Sequence, residues 1–351
     1  MAENGVERAS FWARNYYSLT NGEAALEYLF SHIPPDALVL SFEMPPWLRS
    51  ACLERNVRFL DMRVSPLRFG RDLYVAMSTS NDAMLERIAS HAPLPEELRL
   101  EAALLSANIR MHLRRLHEIG ELSLQEEGVL DDSLIFVGQA PYDASILCPR
   151  KGRPLRCNDF AEQLRALANG RRVMYKAHPF ASEFGKQECA MLSEILGRQV
   201  EAMQANAYQL LSCADTLQLV GISSGLLQEA SWFDKEAHIL FQPFVPLAFE
   251  GSEQLASSQY QQIRFQQLVA PAFWHRVLTP TQDPPRLAAL PPVSHHHARE
   301  TFDQWWDYEK VLTWRRSLPY AMFERLGGGL LRQRIEAIEQ WIGSGGSDRG
   351  R

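Results

Sequence analysis

Between residues 133 and 242, short apolar runs alternate with stretches of helical period, and this alternation restricts the possible folds more than any other feature of the chain. SLIFVGQ (133–139), RRVMYKAHP (171–179), RQVEAM (198–203), DTLQLVGI (215–222) and AHILFQ (237–242) read as strands. Residues 158–170, 183–197, 207–214 and 224–233 read as the helices between them, the first capped by Asn158 and stopped by Gly170. Strands separated by helices point to a parallel sheet, because a parallel neighbour is reached only through a crossover connection.

The preceding residues show a weaker version of the same pattern. LVLSF (38–42) lies between two proline clusters and reads as a buried strand, 47–55 as a helix, and VRFLDMRV (57–64) and LYVAMST (73–79) as further strands. From 81 to about 120 the pattern turns helical. A chain of 351 residues has material for two cores. The expectation is an α/β protein of two Rossmann-like halves with parallel, doubly wound sheets, divided at 1–130 and 131–278. A Pro-rich connector and C-terminal helices anchored by Trp305 and Trp306 occupy 279–345, and 346–351 form a disordered tail.

Charge and cysteine usage exclude several classes. The net charge of -6 lacks the basic excess that phosphate neutralisation by a nucleic-acid binder requires. Five cysteines, an odd number without a CxxC pair, argue against a disulfide framework or zinc knuckle and for reduced thiols in a cytoplasmic protein. The amino-terminal residues lack a signal peptide's apolar core, and no apolar stretch is long enough to cross a bilayer. Peripheral contact at the inner membrane stays open.

In a doubly wound sheet, ligands collect beyond the carboxyl ends of the strands, so the residues that follow each strand matter most. After 133–137 the chain reads Gly138-Gln139-Ala140-Pro141-Tyr142-Asp143-Ala144-Ser145. After the next strand come Lys176, His178 and Pro179, and after the 215–222 strand Ser223, Ser224 and Gly225 open a helix. A helix start offers free N–H groups to an anion, while Ser in that place also reads as a plain cap. Lys and His beside such a turn would make a cradle for a phosphate. Asp143 after Pro141-Tyr142 equally reads as an Asx turn.

K-x-H-P, followed 45 residues beyond His178 by S-S-x-x-x-x-E, resembles the HP and SS motifs of CMP-sugar glycosyltransferases such as bacterial sialyltransferases and Kdo transferases. G-Q-x-x-x-D-A-S narrows the resemblance to the retaining β-Kdo transferases of capsule and O-antigen synthesis. Lys-Ala-His-Pro stands where capsule enzymes tend to have Lys-Pro-His-Pro. The resemblance implies a GT-B-like fold, a CMP-β-Kdo donor and no cofactor. It makes Asp143 a nucleophile that forms a glycosyl-enzyme adduct. Gln139, Lys176, His178, Pro179, Ser223 and Ser224 would grip the donor, and Glu229 would reach its ribose or remain on a solvated helix face. With no DxD-like motif in the sequence, no metal is expected.

The first half is expected to supply the acceptor side for a glycan or lipid-linked saccharide. Glu43, at the end of the first strand, is a candidate general base. Arg63 and Arg68 are candidates for holding the sugar carboxylate, or else they pair with Asp61 or Asp72. His295-His296-His297 reads as a solvated loop, and residues 329–342 with Arg315-Arg316 as ordinary packing rather than membrane contact. An inverting sialyltransferase-like enzyme and a non-catalytic polysaccharide-assembly module remain as alternatives.

Overall fold

In the computed structural model the described residues are 23–118, 129–148, 150–178, 181–203, 206–248 and 259–288. Most of the 279–345 segment, the tail, Pro179, the three consecutive histidines and the Trp305-Trp306 pair lie outside them.

The carboxy-proximal sheet has the expected architecture. It contains β4 (Ser133–Val137), β7 (Val173–Lys176), β8 (Glu201–Met203), β9 (Leu217–Gly221) and β10 (Glu236–Ile239). Their order is β10-β9-β4-β7-β8, and every pairing is parallel. A small antiparallel hairpin, β5 (Leu147–Cys148) with β6 (Arg153–Pro154), sits on the loop after β4. The crossovers run through α5 (Ala161–Ala168), α6 (Ser182–Leu196), α7 (Ala207–Ser212) and α8 (Gly225–Glu229). A 3-10 turn at Cys157–Phe160 precedes α5, and it is the Asp159 carboxylate, not Asn158, that caps this start by accepting the Arg156 N–H at 2.9 Å.

The amino-terminal sheet differs from the expected doubly wound form. β1 (Leu38–Phe42) and β2 (Arg58–Val64) pair in parallel around α2 (Pro46–Glu54), but β2 and β3 (Tyr74–Thr79) are antiparallel. Residues 65–73 join β2 to β3 without a helix, so the chain has no crossover with which to return parallel. The fourth strand is β11 (Gln261–Arg264), which returns from the far end of the chain to pair antiparallel with β3. With α10 (Pro271–Leu278) it builds the core of this sheet, where Phe273 and Val277 join Leu60, Met77 and Ile88. Structurally, 260–278 therefore belong with the first sheet and not with the 131–278 unit, because the inward-facing Ile263 is buried against this sheet and not the second.

One apolar cluster runs through both halves. Leu67, Phe69 and Tyr74 from the first pack with Ile135, Val137, Leu219 and Phe233 from the second. Phe69 and Phe233 meet edge to face at 5.3 Å. Beside them Glu229, 3% exposed, accepts from the backbone N–H groups of Arg68 and Phe69, the latter at 3.0 Å, and from the Tyr208 hydroxyl at 3.0 Å. This corrects the ribose-binding and solvated-face expectations for Glu229. Its carboxylate faces protein donors because one oxygen satisfies buried groups that have no water to turn to.

Glu229→Ala would leave those donors unpaired, and the unfolding free energy should fall by about 3 kcal/mol. Urea denaturation measures this, and a loss of under about 1 kcal/mol would show that the joint does not depend on the carboxylate.

Candidate functional site

The carboxyl ends of β4, β7 and β9 lie side by side, since Val137 is in register with Lys176 and Phe136 with Val220. The chain can turn tightly after β4 because residue 138 is glycine. A Cβ there would lie 2.2 Å from the Tyr175 hydroxyl and 3.2 Å from a Glu188 oxygen. Beneath it Tyr175 donates to Glu188 at 2.8 Å, and burial pushes the Glu188 carboxyl above its usual range.

Gln139 follows, 6% exposed. Its Oε1 accepts the Ser223 N–H at 2.8 Å, and its Nε2 donates to Ser145 Oγ at 2.8 Å and, at 3.5 Å, lies against Asp143 Oδ2. Asp143 closes its own turn by accepting the Ser145 N–H on Oδ1 at 2.9 Å. The Asx-turn geometry is present, yet it uses one oxygen, and the half-buried carboxylate also acts on His178. Burial lowers the imidazole pKa, the Asp143 charge raises it and the Lys176 charge lowers it, with a net downward shift.

Lys176 is 7% exposed, and burial lowers its pKa as well. Among the described residues no carboxylate lies within ion-pair distance of its Nζ, and no hydrogen bond holds it. A buried ammonium without a counter-charge is costly, in keeping with the lowered pKa.

The serine turn departs from expectation. Ser223 is buried, its N–H is taken by Gln139, and its hydroxyl donates to the Gln242 carbonyl at 2.5 Å, so its donors serve the framework rather than a ligand. Ser224 stands at the N-cap position of α8, half-buried, and its hydroxyl makes no capping bond. Gly225 is needed for close approach, because a Cβ there would be 3.3 Å from Pro66 of the first half. α8 is a helix of Gly225–Glu229 alone, too short to build the macrodipole invoked for an anion site. Charge at the rim therefore comes from Lys176.

On the amino-terminal side, Glu43 follows β1 with a φ of 58°, a left-handed conformation that costs a side-chain-bearing residue of order 1 kcal/mol. The clamp holds the next residue at both of its backbone groups: Met44 N–H donates to Asp61 Oδ1 at 2.7 Å, and Arg63 donates to the Met44 carbonyl at 2.5 Å. Arg63 also pairs with Asp61 at 3.0 Å, both side chains being almost fully buried. This corrects the assignment of Arg63 to the sugar carboxylate, because a fork committed to Asp61 and Met44 is a structural brace. Tyr260 donates to the same Asp61 at 2.5 Å. The Asp61 pairing was the alternative expected for Arg63, and the structure shows it, in the interior. The available signal for a buried pair was Asp61 and Arg63 two apart among the apolar residues 59–64, hence on one face. Arg68 stays half-buried beside α8, held through its N–H by Glu229.

The two sides meet at the segment after β10. Arg63 lies 4.9 Å from the Phe244 ring, two residues beyond the Gln242 that receives Ser223.

No family model matches this chain, and no curated protein does. Among solved structures it is similar to a β-Kdo 2,7 transferase, KpsC of Thermosulfurimonas dismutans, at 14% identity over 68% of this chain and 79% of that one, with a TM-score of 0.33. A β-Kdo 2,4 transferase, also KpsC of that organism, aligns at 14% identity over 57% of this chain and 67% of that one, with a TM-score of 0.30. Both are loose likenesses, and the geometry above stands independently of them.

Among the described residues no helix is long and apolar enough to cross a membrane.

Two outcomes follow from the site. Glu43→Gly relieves the left-handed strain and should raise unfolding free energy by about 1 kcal/mol, seen as a higher Tm. An unchanged or lower Tm would mean the side chain is held without strain. The second concerns pH. Below the ordinary imidazole value of 6.5, the unfolded chain binds a proton that folded His178 resists, so stability falls as pH drops from about 7 towards 5. His178→Gln should flatten that part of a urea-derived pH–stability curve, and a curve identical to that of the unaltered protein would contradict the burial argument.

Proposed function

We propose that the chain is a glycosyltransferase that moves Kdo, or a related 2-keto sugar acid, from a CMP-activated donor to a hydroxyl of a glycan or glycolipid, with retention through Asp143. The observation that carries this reading is Lys176: a buried ammonium with no counter-charge among the described residues, next to an imidazole that feels the Asp143 carboxylate. A phosphate adjoining Lys176 would supply the missing charge, and Ser224 adds an uncommitted hydroxyl. The KpsC names in the structural comparison point to the same chemistry, and the motifs in the sequence favour it.

In this reading a carboxylate oxygen of Asp143 attacks the anomeric carbon while the bond from that carbon to the phosphate oxygen breaks. The electron pair leaves with CMP, where Lys176 and the His178 N–H offset the growing charge. Glu43 then takes the proton of the acceptor hydroxyl, whose oxygen displaces Asp143 with a second inversion. The donor's own carboxylate requires a cation other than Arg63, and Arg68 is the remaining candidate. The donor cleft lies between the halves in a GT-B-like arrangement, CMP-β-Kdo and the saccharide acceptor are the partners, and peripheral contact at the inner membrane would bring a lipid-linked acceptor within reach.

A thermal-shift series with CMP, UDP and GDP, followed by intact-protein mass spectrometry with CMP-Kdo, tests the reading. CMP should stabilise the protein selectively, and a Kdo adduct should map to Asp143. An inverted product without adduct would favour the inverting sialyltransferase-like mechanism. Absence of any nucleotide shift would favour a non-catalytic assembly module and sink the proposal.

Lys176→Met separates function from stability. It should abolish the CMP shift while raising the unfolding free energy of the ligand-free protein by about 1 kcal/mol, since an unpaired buried charge gives way to an isosteric apolar chain. A variant that still binds CMP like the parent would remove Lys176 from the site.

A further inference from the structure

We propose that Gln139 is a positioning residue that holds the Asp143 carboxylate and the Ser223-Ser224 turn at a fixed separation through the two ends of one side-chain amide; this inference rests on the transferase reading. The amide is nearly sealed from solvent and its polarity is set on both sides. Ser223 N–H is a donor and can face only the carbonyl end, at 2.8 Å. The NH₂ end therefore points to the turn after β4, where it donates to Ser145 Oγ at 2.8 Å and approaches Asp143 Oδ2 at 3.5 Å. Ser145 in turn gives its backbone N–H to Asp143 Oδ1 at 2.9 Å, so both oxygens of the carboxylate are approached from this turn.

The loops after two strands are thereby tied by one residue. β4 contributes Gln139 itself, and it reaches across to the turn after β9, 84 positions later in the chain. The glycine before it lies close against β7, where a Cβ would meet Tyr175 and Glu188, and its N–H donates to the Lys176 carbonyl at 2.9 Å. The amide thus hangs from a backbone locked against β7, whose end carries Lys176 and His178. A carboxylate that must reach an anomeric carbon, and a turn that would lie beside the departing phosphate, are held from one point. Near-attack geometry demands such fixed spacing between nucleophile and leaving group. Gln139 itself need touch neither substrate, so it is distinguished from the groups that react.

Two substitutions divide its two ends. Gln139→Glu keeps an acceptor for the Ser223 N–H and for the Ser145 hydroxyl but has no proton to give towards Asp143. Gln139→Met keeps the length and loses both ends. The readouts are CMP affinity by calorimetry and the rate of Kdo-adduct formation from CMP-Kdo by mass spectrometry, with circular dichroism to follow folding. For Gln139→Glu the adduct rate should fall about tenfold, the scale of one hydrogen bond, while CMP affinity stays within about threefold. For Gln139→Met both should fall by about tenfold or more. Ser145→Ala, which removes the second acceptor of the amide without touching the backbone N–H, gives an independent reading if Gln139→Met does not fold. It should slow adduct formation and leave CMP affinity unchanged.

The proposal is overturned if Gln139→Glu reduces rate and affinity in the same proportion, as a generally loosened fold would, or if neither variant slows adduct formation. If the unaltered protein binds CMP but forms no adduct, the retaining reading fails and the positioning role fails with it. If it binds no CMP at all, the transferase reading is the one at fault, and the variants then differ only in stability.

Discussion

How the two halves sit against each other is decided by a single buried carboxylate. Glu229 gathers the Arg68 and Phe69 N–H groups from the first half and the Tyr208 hydroxyl from the second. Apolar packing such as Phe69 against Phe233 brings the halves together without direction, and the hydrogen bonds add the register. Everything at the rim inherits that register. Pro66 fits over Gly225 only because the loop carrying it is pinned a few residues further on.

The rim itself combines tightness with one deliberate deficit. Ser223, Gln139, Ser145 and Asp143 form a connected set in which the Ser223 N–H, the Gln139 amide and the Ser145 N–H each have an acceptor, as buried polar networks require. Lys176 is the exception among them. A network that is satisfied internally has little left to offer a ligand, and the proposed donor grip therefore rests on groups at its edge, Lys176, His178, Ser224 and Asp143. On the other side Asp61, Arg63 and Tyr260 form a second closed set, and Glu43 stands just outside that one with its backbone forced left-handed. Both sides thus follow one plan, a hydrogen-bonded inner shell with a small number of polar groups at its edge.

Much of this was readable in the sequence, for local reasons. The strand period located β4, β7 and β9, and position after a strand end drew attention to Gln139, Asp143, Lys176 and His178, to which the motif resemblance then gave roles. What could not be read depends on distance along the chain. Nothing near Glu229 announces a partner 160 residues earlier, and a buried acceptor looks the same in a sequence as a ribose ligand or a solvated acid. The return of β11 to the first sheet is equally non-local, since its partner β3 lies far upstream. The antiparallel β2–β3 pairing was legible in principle, because residues 65–73 hold no helix. Ser223 shows a further limit: residue type and position were right for a turn at the rim, while the direction of its hydroxyl depends on the Gln242 carbonyl.

The segment following β10 is a strap shared by both sides. Its Gln242 carbonyl takes the Ser223 hydroxyl, and its Phe244 ring lies over the Arg63 guanidinium. The two walls of the cleft are therefore not independent modules that evolution or an engineer can exchange freely. A substitution that shortens or re-angles the strap moves both walls together, so a chimera joining one half to a foreign counterpart must bring its own version of residues 240–248 or lose the alignment of each.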